Sequence, residues 1–126
     1  SGVLGITELS SDMREVEAAC EKGEPKAVLA MQMYNYRIKK YIGAYAAAMG
    51  GVDIIVFTAG VGENQWSTRQ ESCEGLEFLG VKIDKELNKG LRGVEKVIST
   101  PDSKVTVCII PTDEELMIAT DTMNLL

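Results

Sequence analysis

The stretch DIIVFTAGVGEN, Asp53–Asn64, most constrains how this chain can fold. The run Val52–Phe57 is largely apolar and rich in β-branched residues without strict alternation, which predicts a strand covered on both faces of a sheet. Gly60 and Gly62 bracket one valine, and residues 64–74 are predicted to be helical. Glycine allows a positive φ and removes the Cβ that would block a ligand, and helix-start amides favour anions. The stretch therefore predicts a phosphate- or nucleotide-binding turn, with tight packing of the turn as the alternative.

Two common phosphate motifs do not fit this turn. A Walker loop would need a Gly-Lys-Ser/Thr sequence after the first glycine, and a dinucleotide fingerprint would need a third glycine. The sequence GVGEN has neither. Any nucleotide bound here is expected to be held in another way.

The rest of the chain predicts an α/β fold, because helical and strand patterns alternate. Asp12 with Glu15 predicts a capped helix that ends near Gly23. Pro25 suits the start of a second helix that ends at Gly50-Gly51. The other predicted elements are a turn at 75–79, extended residues 81–83, strands at 94–99 and 105–110 joined by the turn TPDS, and a final helix 114–124 capped by Thr112 or Asp113. Residues 1–9 show no clear periodicity, and residues 85–91 are ambiguous.

The long helix from Pro25 to Met49 carries an apolar stripe at helical spacing. Its members are Ala27, Met31, Tyr34, Ile38, Tyr41, Ile42, Tyr45 and Ala48. Core packing is the favoured interpretation, since such stripes usually face inward. A protein interface is the alternative.

Composition excludes several classes of function. A net charge of −6 argues against a nucleic-acid partner, which needs a basic face. The apolar runs are too short to cross a membrane. No histidine is present, which excludes histidine-based chemistry within the chain. The three cysteines are odd in number and lack metal-type spacing, and no signal-peptide pattern opens the sequence, so reduced thiols and a cytoplasmic location are expected.

Two further segments have functional and structural interpretations. In IIPTDEEL, Glu114 and Glu115 start a helix, where acids are favourable for electrostatic reasons alone. One of them could instead serve a hydrated Mg²⁺, which takes only one or two protein carboxylates. In SSDMRE, Arg14 taken alone is interpreted as a solvated surface cation.

Four segments together resemble the C-terminal portion of the acetate kinase family. They are SGVLGITELSSDMR, YIGAYAAAMGGVDIIVFTAGVGEN, GLEFLGVKID and IIPTDEELMIATDT, and they span Ser1 to Thr122 in the order of the family. The family belongs to the acetate and sugar kinase, heat-shock 70 and actin superfamily. The resemblance implies an α/β fold that is the C-terminal part of a ribonuclease-H-like (actin-like ATPase) domain, with a mixed sheet flanked by helices. It also implies Mg²⁺-dependent phosphoryl transfer between ATP and acetate, giving ADP and acetyl phosphate.

The resemblance also implies site residues, position by position. The nucleotide residues would be Asp12, Met13 and Arg14 around the adenine and ribose, and Gly60, Val61, Gly62, Glu63 and Asn64 in the glycine turn. Glu114 would serve the Mg²⁺ ion. Asp113 stands where the family usually has asparagine, so the metal site departs from the family pattern.

The acetate-binding and transition-state residues of the family lie upstream of any segment matched here. No catalytic residue is therefore assigned, and residues 1–126 are interpreted as one nucleotide-binding domain or fragment, inactive alone. Two alternatives remain open: the same part of a propionate or butyrate kinase, or a non-catalytic dimerisation module. Because the family pairs through its C-terminal domains, a homodimer is expected. Adding a Cβ at Gly60 or Gly62 is expected to weaken nucleotide binding more than folding.

Overall fold

A computed structural model describes residues 2–126 as a mixed three-stranded sheet flanked by helices. The helices are α1 (Gly2–Thr7), α2 (Met13–Glu21), α3 (Pro25–Met49), α4 (Ala59–Asn64), α5 (Trp66–Cys73), α6 (Lys85–Asn88) and α7 (Glu114–Leu125), with a 3-10 turn at Glu77–Leu79. The strands are β1 (Ile54–Phe57), β2 (Lys96–Val97) and β3 (Thr106–Ile109). The predicted α/β class is confirmed.

Local capping explains where several helices begin and end. Asp12 precedes α2 and accepts a hydrogen bond from the Arg14 amide at 2.9 Å. α3 starts at Pro25, and Gly50, with a left-handed φ of 77°, caps its end. Asp113, rather than Thr112, caps α7 by accepting from the Leu116 amide at 2.9 Å. These predicted boundaries are confirmed because each rests on side-chain or glycine chemistry within one turn of the helix.

The first helix was not predicted. Val3 and Ile6 of α1 pack against a cluster made by α2 and α3, namely Val16, Ala19, Ala27, Ala30 and Met31. Their spacing of three residues is helical, but a six-residue helix offers too few positions for a clear periodicity.

The sheet has the order β1-β3-β2. β1 and β3 run parallel, with Ile54 opposite Thr106 and Phe57 opposite Ile109. β2 pairs with β3 in the antiparallel sense and is shorter than the predicted strand 94–99. Residues 81–83 contribute two isolated bridges, Val81 to Val105 and Ile83 to Ser99. Parallel pairing brings the carboxyl ends of β1 and β3 to the same edge.

The prediction that β1 is covered on both faces is wrong for this chain. Ile55 and Phe57 are buried in the main core, whereas Ile54 is 59% exposed and Val56 is 45% exposed. The buried side chains of β1 lie on one face of the sheet only. The continuous apolar run correctly marks a strand, but its second covering layer is not supplied by residues 2–126.

The stripe on α3 is only partly a core stripe. Ala27 and Met31 are buried, as predicted, but Tyr41 and Tyr45 are exposed, by 50% and 64%. Ala46 is buried in their place. The two exposed tyrosine rings stack on each other, with centroids 6.2 Å apart. The core interpretation therefore holds for Ala27 and Met31, and for Ile42, which packs against the main core, but it is wrong for the two tyrosines.

Candidate functional site

A cleft of about 320 Å³ lies between the start of α2 and the turn that follows β1. Its lining consists of Asp12, Met13, Arg14, Glu17, Gly60, Val61, Asn64, Gln65 and Arg92. Six of the eight residues predicted to bind nucleotide thus meet in one concave site. The two segments are far apart in sequence, so the fold and not chain proximity brings them together.

One wall of the cleft is the capped start of α2. The Asp12 carboxylate accepts from the backbone amide of Arg14 and also pairs with its guanidinium, Nη2 to Oδ2, at 2.9 Å. These hydrogen bonds from Arg14 lower the pKa of Asp12 below its usual value. Asp12 therefore shapes this wall as an ionised cap, while the Arg14 side chain remains largely exposed.

The other wall is the glycine turn, which is helical with a break. Gly60 departs from helical geometry, with φ of 8° and ψ of −92°. The left-handed φ of 55° falls on Ala59 and not on either glycine. Asn64 Nδ2 donates to the Gly60 carbonyl at 2.9 Å across the break. A Cβ at Gly60 would meet no protein atom within 4 Å, so this position is open towards the cleft.

Gly62 and Glu63 do not line the cleft. A Cβ at Gly62 would come within 3.3 Å of the Phe57 backbone carbon, so this glycine allows close packing on the end of β1. The Glu63 carboxylate accepts from the Thr112 amide at 3.0 Å. Gly62 thus packs the turn on the end of β1, and Glu63 links it to Thr112, while the expected contact of both residues with a nucleotide stays a prediction.

Three lining residues were missed by sequence reasoning. Gln65 donates from Nε2 to the Met13 carbonyl at 3.2 Å and so joins the two walls. Glu17 lies one helical turn after Arg14, a spacing that could have identified it. Arg92 approaches Glu17 at 3.5 Å from a distant loop, and no local pattern predicts that contact.

Glu114 lies outside the cleft. It lines a separate depression beside Thr112, Asp113, Met117 and Ile118. Within residues 2–126, no cluster of three or more histidine, cysteine or acidic side chains could hold a metal ion. A single exposed carboxylate still fits Mg²⁺, which keeps several waters and takes one or two protein ligands. The donor chemistry is therefore suitable, although it is only part of a metal site.

The cleft is suited to binding rather than to bond making. Its lining offers two arginines, two carboxylates paired with them, two amides and the apolar side chains of Met13 and Val61. None of these lining residues carries a hydroxyl or thiol nucleophile. A polar, anionic ligand with a flat apolar part fits this combination. Separately, none of the helices within residues 2–126 is long and apolar enough to span a membrane.

Comparison with known proteins gives a consistent result. The model of the acetokinase family matches residues 1–120. The acetate kinase of Phocaeicola vulgatus is 71% identical over all 126 residues, which cover 31% of its length. The crystal structure of Porphyromonas gingivalis acetate kinase superposes with a TM-score of 0.90 at 62% identity, covering 98% of this chain and 31% of that one.

A propionate kinase from Francisella tularensis is more distant, with a TM-score of 0.82 and 37% identity over the whole chain and 32% of that structure. The chain thus spans about a third of the length of the relatives that it matches. The match over residues 1–120 decides the family, and this chain belongs to the acetokinase family.

Proposed function

We propose that residues 1–126 form the C-terminal, nucleotide-binding portion of an acetate kinase. The reaction is phosphoryl transfer between ATP and acetate, giving ADP and acetyl phosphate. The observation that carries this proposal is the meeting of residues 12–14 with Gly60, Val61 and Asn64 in one cleft. Family membership supports the same reaction class.

The cleft suggests how ATP or ADP is held. Met13 and Val61 supply apolar surface for a flat base, and Arg14 and Arg92 supply positive charge for anionic groups. The open side of Gly60 allows a ligand to approach the backbone closely. Gln65 keeps the two walls at a fixed separation.

Magnesium completes the proposal on the phosphate side. Bound Mg²⁺ would neutralise negative charge on the transferred phosphoryl group, which is the main demand of this chemistry. Glu114 is the residue of this chain that would hold the ion, directly or through water. Glu114 lies two residues after Thr112, whose amide donates to the Glu63 carboxylate in the glycine turn. This hydrogen bond supports a location of Glu114 at the same edge of the sheet as the cleft.

Residues 1–126 are not expected to bind acetate or to complete the phosphoryl transfer. We predict that the isolated 126-residue chain makes no acetyl phosphate, because positioning of the acceptor and charge neutralisation both require further groups. The test is acetyl phosphate formation from ATP, Mg²⁺ and acetate. The isolated chain is compared with a full-length enzyme in which this segment follows the upstream two thirds of Porphyromonas gingivalis acetate kinase.

Turnover by the full-length protein is the expected result. Turnover proportional to the isolated chain would contradict the assignment of a nucleotide-binding portion, and an inactive, folded full-length protein would contradict the function. Propionate or butyrate as the preferred acceptor of the natural enzyme would identify the alternative, which the propionate kinase similarity keeps open.

An exposed aromatic surface on α3 supports a second role, self-association. The middle of α3 exposes a surface formed by Met33, Tyr36, Arg37, Lys40, Tyr41 and Ala44. Arg37 lies 5.7 Å from the Tyr41 ring centroid, and Lys40 lies 5.5 Å from that of Tyr36. Exposed aromatic and arginine side chains are typical of interface centres, so a homodimer through this surface is proposed. Light scattering of the isolated chain tests it, and a strictly monomeric chain at high concentration would argue against a dimerisation module.

The remaining part of the proposal is a cytoplasmic location. All three cysteines are free thiols, as expected for a reducing compartment. Burial raises the pKa of Cys73 to about 12, so this thiol stays protonated and inert.

A further inference from the structure

Arg69 is a buried cation that neither the predicted site nor the cleft includes. It lies in α5 and is fully buried, with no exposed surface. Its described hydrogen bonds all go to neutral oxygens: Nε to Asn88 Oδ1 at 2.8 Å, Nη1 to the Gly62 carbonyl at 2.9 Å, and Nη2 to the Leu91 carbonyl at 2.7 Å. Within residues 2–126, no carboxylate lies within ion-pair distance of Arg69.

A buried charge without an opposite charge is costly and calls for an explanation. A buried hydrophobic side chain would fill the same space at lower cost if packing were the only requirement. Burial lowers the pKa of Arg69 to about 10, so the side chain is still charged at neutral pH. The charged guanidinium therefore donates to three neutral acceptors in the interior.

The three acceptors belong to three different segments. Gly62 lies in the turn of the cleft, Asn88 ends α6, and Leu91 lies in the loop that leads to Arg92. The guanidinium presents its donors in a rigid planar fork, so it fixes these segments relative to one another. Asn88 is itself oriented, because its Nδ2 donates to the Trp66 carbonyl at 2.9 Å.

The segment that most needs such support is the turn. Ala59 has a left-handed φ of 55°, a conformation that non-glycine residues adopt only when their surroundings enforce it. The Gly62 carbonyl lies three residues further on and accepts a hydrogen bond from Arg69, and neither residue lines the cleft. In addition, the Gly93 amide donates to the Glu63 carbonyl at 3.0 Å, so the loop is joined to the turn directly as well as through Arg69.

We propose that Arg69 is a positioning residue for the nucleotide: it holds the Gly60–Asn64 turn and the Leu91–Gly93 loop in the arrangement that forms the cleft, without touching the ligand. This inference rests on the proposed nucleotide-binding function. Its positive charge, uncompensated by a carboxylate, additionally favours an anion at the turn that it supports.

The test uses the full-length enzyme with three variants. Arg69→Lys keeps the charge but loses the fork, and Asn88→Ala keeps Arg69 but removes the acceptor that orients it. Asn35→Ala is the matched control, because Asn35 is also buried and also bonds to α5, donating to Glu71 Oε2 at 2.7 Å, but it does not contact the turn. For each protein, KM for ATP, KM for acetate, kcat and the thermal midpoint are measured.

We expect Arg69→Lys to raise KM for ATP about tenfold, equivalent to about 1.4 kcal/mol, with KM for acetate nearly unchanged. Asn88→Ala should raise KM for ATP less, in the same selective way. Asn35→Ala should leave both KM values unchanged, whatever it does to the thermal midpoint. A role in stability alone would lower the thermal midpoint of the Arg69 variant without separating the two KM values.

A folded Arg69→Lys enzyme with parental KM for ATP overturns the inference. If that variant does not fold, Asn88→Ala decides, and a parental KM for ATP in Asn88→Ala overturns it equally. A parental enzyme that makes no acetyl phosphate overturns the proposed function, and this inference with it. An active parental enzyme with insensitive variants overturns this inference alone.

Discussion

Two turns leave the same edge of the sheet, and the chain supports them very differently. The first turn, residues 58–64, follows β1 and is held by the buried Arg69 and by the Gly93 amide. The second turn, residues 110–113, follows β3 and leads into α7, in which no residue is buried. The comparison teaches that the proposed nucleotide wall is preorganised within this chain. The second turn, which leads to the proposed magnesium residue Glu114, is held within residues 2–126 only by its hydrogen bonds to Phe57 and Glu63.

That contact is specific. The Ile110 amide donates to the Phe57 carbonyl at 3.0 Å, and the Glu63 carboxylate accepts from the Thr112 amide. Beyond Asp113, the apolar side chains of α7 are exposed, namely Leu116, Met117, Ile118, Met123 and Leu125. In the full-length enzyme we expect other segments to cover them and so to fix Glu114.

The largest expected effect concerns Glu114. In the full-length enzyme, Glu114→Gln should lower kcat by about 10–100-fold and raise the Mg²⁺ requirement, as for groups that hold or orient a metal. Glu115→Gln is the matched control and should be milder, because the next helical residue points about 100° away around the axis. The measurement is a magnesium titration of the initial rate, with circular dichroism to check folding. Parental curves for Glu114→Gln would leave it a helix-start acid only.

A smaller effect separates the two glycines of the first turn. Gly62→Ala places its Cβ 3.3 Å from the Phe57 backbone and should cost about 1–3 kcal/mol of unfolding free energy through overpacking. Gly60→Ala has no such neighbour, so it should leave stability nearly unchanged and instead raise KM for ATP. Denaturant unfolding and ATP titration of the full-length variants distinguish the two. Equal stability losses would contradict the division of roles between the glycines.

The smallest effect concerns the link between the turns. Glu63→Ala removes the acceptor for the Thr112 amide and should cost about 0.5–1.5 kcal/mol of stability. Glu63→Gln retains an acceptor and should be milder. If the link positions Glu114, then Glu63→Ala and Glu114→Gln will be non-additive in the magnesium titration, with a coupling of about 0.5 kcal/mol or more. Strict additivity would show that the turns act independently.

Structural features that rest on contacts between residues close in sequence could be predicted, whereas features that rest on contacts between distant segments could not. The starts of α2 and α7 and the end of α3 could be predicted, because Asp12, Asp113 and Gly50 each cap the adjacent helix within one turn. The glycine turn could be predicted as a candidate site, but the sequence did not show that Gly62 packs on Phe57 while Gly60 lines the cleft. The hydrogen bond between Glu63 and Thr112 could not be predicted for the same reason.

The sequence by itself therefore determined the α/β class, the capped helices and the family, since these rest on local patterns and on motifs that continue along the chain. Only the tertiary structure decided the strand order, the open face of β1 and the convergence of Gly62, Asn88 and Leu91 on Arg69. These contacts join segments distant in sequence. Local periodicity shows that a side chain can be buried, but its partner is set by how the elements pack.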